Sequence, residues 1–106
     1  MKFSHTKQLV LQLPGDCLKD YDSLIELEDA IIARIGNIGE VDGHDMGAGE
    51  MNIFIHTDHP KLAFEAIKSL LGTKDFMPNF KAAFRDVDKA EFTILYPPGL
   101  GEFRVA

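Results

Sequence analysis

Three of the four histidines in this 106-residue chain, His44, His56 and His59, fall within a single stretch, Gly39–Pro60 (GEVDGHDMGAGEMNIFIHTDHP). Glu40 and Asp42 share that stretch. An imidazole beside a carboxylate is the raw material of general acid–base chemistry, because the negative neighbour favours the imidazolium and orients the ring. The same pairing is also an ordinary cross-strand ion pair, and the spacing completes no catalytic signature.

Alternation locates these residues on a β-hairpin. Gly39–Met46 and Glu50–Thr57 read as strands, and Gly47-Ala48-Gly49 supplies the permissive backbone of the turn. A three-residue turn opposes His44 to Asn52, Asp42 to Phe54 and Glu40 to His56. Met51, Ile53 and Ile55 then share a core-facing side with Val41 and Gly43. The other side carries Glu40, Asp42, His44, Asn52, Phe54 and His56, an acidic, histidine-bearing binding face with one aromatic at its centre. His56 and Glu40 are its candidate catalytic pair, with Cβ atoms about 5 Å apart across the ladder.

Other chemistries fit the sequence less well. In that register His44 and His56 are offset by four strand residues, roughly 13 Å at a rise of 3.3 Å per residue. No single ion bridges that distance with bonds of about 2 Å. His56 and His59 form H-x-x-H, but no cysteine or spaced glutamate completes a ligand set, so no metal is expected. Gly43, Gly47 and Gly49 lead into a strand rather than a helix N-terminus, which removes a phosphate loop. Nothing in the sequence around Cys17 lowers its pKa, so it reads as an inert packed thiol. His5 lies in a segment expected to fray. No cofactor is called for.

The remaining elements follow from periodicity. Gln8–Leu13 alternates Leu9, Leu11 and Leu13 against Gln8, Val10 and Gln12, and Pro14-Gly15-Asp16 ends the strand. A helix is predicted over Ser23–Ile35, opened by Ser23 and Glu26 as a capping box and lined by Leu24, Leu27, Ile31 and Ile35. Pro60 starts a second helix with Leu62, Ala63, Ala66, Ile67, Leu70 and Leu71 as its buried stripe. Lys74–Asn79 is a loop, and strands follow at Phe80–Arg85 and Glu91–Tyr96. No linker or repeat interrupts residues 1–106, so one domain is expected.

Strand, helix, hairpin, helix, strand is an order that resembles the ferredoxin-like α+β two-layer sandwich, βαββαβ with an extra C-terminal strand. The resemblance implies an antiparallel sheet with two helices on one face. It carries no chemistry, because that fold serves enzymes, regulators and binding modules alike.

Composition narrows the function classes. The formal charge is −6 and no Lys/Arg cluster is present, which disfavours nucleic acid. The apolar run Leu9–Leu13 is too short for a signal peptide or membrane span, and a single cysteine fits a reducing cytoplasm. The favoured reading is a non-enzymatic binding or regulatory domain that engages, and masks, a basic protein partner. The alternative is a small ferredoxin-like enzyme, monooxygenase-like, using the open sheet face with His56 as acid or base. A two-fold homodimer would cover that face or pair an edge strand, and Glu102–Ala106 alternates as an added strand would.

Overall fold

A computed structural model describes residues 6–14, 21–47, 49–73, 80–101 and 103. Cys17, His5, the loop at 74–79 and the tail strand at 102–106 (Phe103 apart) lie outside the described residues. β1 (Lys7–Pro14) leads to α1 (Tyr21–Ile35) and a 3₁₀ turn (Gly36–Ile38). The hairpin β2 (Gly39–Gly47) and β3 (Glu50–Thr57) follows, then α2 (Pro60–Thr73), β4 (Lys81–Asp86) and β5 (Thr93–Tyr96). α1 begins two residues before Ser23, which therefore lies inside the first turn instead of capping it.

The five strands form one antiparallel sheet in the order β2-β3-β1-β4-β5. β1 is its centre, pairing with β3 from Lys7–Thr57 to Pro14–Glu50 and with β4 from Lys7–Asp86 to Gln12–Lys81. Both helices cover the same face. Leu27, Ile31 and Ile35 of α1 and Ala63, Phe64, Ile67 and Leu70 of α2 share one buried cluster with Leu9, Leu11, Leu13, Ile53 and Ile55. Leu62, expected in the buried stripe, is exposed, because the stripe runs Pro60, Ala63, Phe64, Ile67, Leu70 and Leu62 is rotated away from it.

The second face of the sheet is also covered. Val10 and Ala83 are fully buried, and Phe54, Phe92, Ile94, Leu100 and Phe103 pack around them. Leu100 N–H donates to Pro97 O at 3.2 Å, a turn that carries the chain after β5 back across the sheet. Phe103 then meets the Phe92 ring edge-on at 5.0 Å. Alternation in β1 predicts polar exposure at Val10 and Gln12, yet both are buried. For Val10 the reason is this aromatic layer, which local sequence pattern does not encode, and Gln12 is enclosed beside the buried Asn52.

Two polar devices fasten the ends of the elements. Thr57 is fully buried, its hydroxyl donating to Ile38 O at 2.7 Å and accepting from His59 N–H at 2.9 Å. One side chain thus ties the exit of the 3₁₀ turn to the entry of α2. Beside it Gly39 passes so close to β3 that a Cβ there would lie 2.7 Å from His56 O. At the end of the β1–β4 ladder, Lys7 Nζ donates to Asp86 Oδ1 at 2.6 Å. That hydrogen bond, with Lys89 at 3.8 Å, holds the Asp86 carboxyl below its ordinary 3.8.

Thr57→Val keeps the shape but strands a carbonyl and an amide, so it should cost about 1–3 kcal/mol in urea denaturation. A change within error would mean that water replaces the hydroxyl. Asp86 contributes stability that is present above its unfolded pKa and fades as pH falls through its lowered folded pKa. Stability curves of wild type and Asp86→Asn should accordingly differ above pH 4 and converge at lower pH. Parallel curves over that range would remove the Lys7–Asp86 contribution.

Candidate functional site

The edge strand β2 leaves regular pairing at one point. Glu40 opposes His56 and Val41 opposes Ile55, but the next pair is Gly43 with Phe54. Asp42 is the extra residue of a β-bulge, and Gly43 takes φ +153° there, a conformation that side chains rarely adopt. Beyond the bulge the pairs run His44–Ile53, Asp45–Asn52, Met46–Met51 and Gly47–Glu50. The turn is consequently shorter than the Gly47–Gly49 loop read from the sequence, and Gly49 (φ +78°) sits in it.

The bulge divides the expected binding face. Glu40 does stand opposite His56, but the register expected for His44, Asp42, Asn52 and Phe54 is corrected by one residue. His44 stands opposite Ile53 on the helix-covered side. There its Nδ1–H donates to Glu28 Oε2 of α1 at 3.0 Å, both side chains being largely buried. His44 is thus a fastener between layers, and Asp45 takes its place opposite Asn52. Asn52 is fully buried, its Oδ1 accepting from Gln12 Nε2 at 3.0 Å, while its Nδ2 has no hydrogen-bond partner among the described residues. Phe54 belongs to the aromatic layer over Val10 and Ala83.

What remains accessible is a groove at the β2 edge. It has a volume of about 490 Å³ and is lined by Glu40, Val41, Asp42 and His56 of the hairpin with Ile32 of α1 and Gly36 of the 3₁₀ turn. Asp42 Oδ2 lies 3.9 Å from His56 Nε2, an ion-pair separation too long for a hydrogen bond. Asp42 is half exposed and His56 is 13% exposed. Glu40, the partner expected for His56, makes no ion pair with any described residue. Among the described residues no three His, Cys, Asp or Glu side chains are grouped to hold a metal ion.

Charge sorted by element gives this edge its character. Residues 21–47, which form α1 and β2, contain seven of the seventeen carboxylates but only Arg34 of the eleven Lys/Arg. This segment holds the whole formal charge of −6, and the rest of the chain is neutral, with ten of each sign. Glu26, Asp29, Glu40 and Asp45 make no ion pair with a described residue. The asymmetry was available in the sequence, but reading the charge over the whole chain hid it.

No family model matches the chain, no characterised protein matches it, and no solved structure matches it. Among the described residues no helix is long and apolar enough to cross a membrane.

His44→Leu removes the partner of the nearly buried Glu28 and should destabilise by about 1–3 kcal/mol in chemical denaturation. A loss of a few tenths would place His44 in solvent and remove the bulge register with it.

Proposed function

We propose that this is a ferredoxin-like domain with one added strand, and that it is a non-enzymatic binding or regulatory module whose α1–β2 surface docks a basic protein. The fold reading is supported by the inner order β2-β3-β1-β4, in which β3 lies between the two strands joined through α1. The functional reading is carried by one observation, the confinement of the net charge to α1 and the edge strand β2. Exposed carboxylates on adjacent elements sum their fields, steer a cationic partner and select against nucleic acid. Ile32, 51% exposed at the rim of the groove, adds an apolar contact among the charges.

Pairing β2 with a second copy of itself would set Glu40, Asp42 and Asp45 against their own equivalents. We therefore assign the edge to a different, basic partner rather than to a homodimer. A cytoplasmic setting accords with the single cysteine. The enzyme reading retains the His56–Asp42 contact as its basis, but the groove beside it lies on the sheet edge and the 3.9 Å between Asp42 and His56 is too long for a hydrogen bond.

Binding of a fluorescent deca-lysine peptide at low ionic strength tests the assignment. Glu40→Gln/Asp42→Asn/Asp45→Asn should weaken it by at least about tenfold, whereas neutralising Glu65, Asp88 and Glu91 should change it less than about threefold. Equal losses from the two triple variants would reduce the effect to total charge and remove the docking surface.

A further inference from the structure

We propose that the sheet face without helices carries a second site, a pocket for a small organic acid with one carboxylate on an apolar or aromatic body. The pocket, about 580 Å³, lies where β1, β3 and β4 meet the loop between β4 and β5, and Gln8, Phe54, Arg85, Val87 and Phe92 line it. Its volume is that of a small-molecule site. It belongs to different strands from the acidic edge, and its chemistry is of opposite sign.

Arg85 is the centre of the site. Its Nε donates to Gln8 Oε1 at 3.0 Å, and its Nη1 donates to the carbonyls of Asp86, Val87 and Lys89 at 3.3, 3.1 and 2.7 Å. The guanidinium carbon stands 5.9 Å from the centre of the Phe92 ring. These contacts lock the plane of the group and shape the loop around it. They do not neutralise it. Among the described residues no carboxylate lies within ion-pair distance of Arg85; nearby Asp86 is engaged by Lys7 and Lys89. Arg85 Nη2 has no hydrogen-bond partner among the described residues.

A second donor follows from the first. A guanidinium only donates, so the amide oxygen of Gln8 must be the atom that faces it, and the Gln8 NH₂ is left as a donor. That NH₂ also has no partner among the described residues. Arg85 and Gln8 thus offer N–H groups to one pocket, a pre-positioned arrangement that a carboxylate completes with charge-assisted hydrogen bonds. Phe54, Phe92 and the 45%-exposed Val87 supply the wall for an apolar body. Asp88 also lines the pocket, and its charge disfavours a phosphate dianion relative to a monocarboxylate.

Titration of the labelled protein with phenylacetate, hexanoate and indole-3-acetate, followed by amide NMR, tests the site. At least one acid should bind saturably with shifts centred on residues 85–92, and phenylacetamide should bind at least about tenfold more weakly than phenylacetate if that acid binds. Gln8→Glu is the decisive variant, because its carboxylate still accepts from Arg85 Nε but neutralises the cation and removes the donor. It should weaken acid binding by at least about tenfold without lowering Tm. The site is overturned if none of the acids saturates below about 10 mM, or if Gln8→Glu binds as wild type does. Should the variant fold poorly, comparison of each binding acid with its own amide on the wild-type protein decides alone, and equal affinities overturn the site.

Discussion

The central strand β1 must be covered on both faces, and most of the architecture answers that demand. Leu9, Val10, Leu11, Gln12 and Leu13 are all buried, so neither side of this strand is left to water. A strand flanked by β3 and β4 has no spare backbone hydrogen bonds, and its side chains alone need partners. The helices supply them on one side through Leu27, Ile31, Phe64 and Ile67. On the other side the residues flanking β5 supply them, Phe92 just before the strand and Phe103 after it closing over Val10 and Ala83. Gln12 and Asn52, enclosed on that side, satisfy each other in part through a single 3.0 Å hydrogen bond.

Covering both faces moves the functional surface outward. A two-layer sandwich with one bare sheet face would offer that face to a ligand, and alternation along β3 suggests such an arrangement. With the centre of the face filled by aromatic side chains, the accessible chemistry lies at the margins of the sheet, at the β2 edge and at the β4–β5 loop. The bulge at Asp42 reinforces the change at the first of these margins. It turns His44 inward to Glu28 and leaves Asp42, Glu40 and Asp45 outward, so the edge becomes acidic rather than histidine-bearing. A charged, bulged edge also resists pairing with another strand, which suits a surface that binds side chains instead of backbone.

Elements dominated by local rules were legible from residues alone. The β3 strand Glu50–Thr57, the end of α1 at Ile35, Pro60 at the start of α2 and the buried set Leu11, Leu27, Ile31, Ile53, Ile55 and Ile67 follow from period and capping chemistry. The pairing of Glu40 with His56 was legible because it lies before the bulge. From the bulge to the turn the β2 partners differ by one residue from the expected register, since a glycine compatible with regular strand gives no local sign that it has taken positive φ. The burial of Val10 depends on Phe103, more than ninety positions away in the sequence, and no window of alternation reaches that far.

The roles of the cations show the same dependence on context. Lys7, Lys81 and Lys89 each meet a carboxylate, at 2.6, 3.8 and 3.8 Å, so the charge of these three is offset locally. Arg85 differs because backbone carbonyls occupy its fork. Carbonyl dipoles solvate a guanidinium without cancelling its charge, so the loop is ordered while the field of the cation persists. A lysine at this position would offer a point charge with no planar fork to hold three carbonyls and Gln8 together. Arginine is therefore the residue that can shape the loop and still present a positive charge to whatever enters beside it, and the acidic α1–β2 edge lies beyond β3, where it leaves that charge uncompensated.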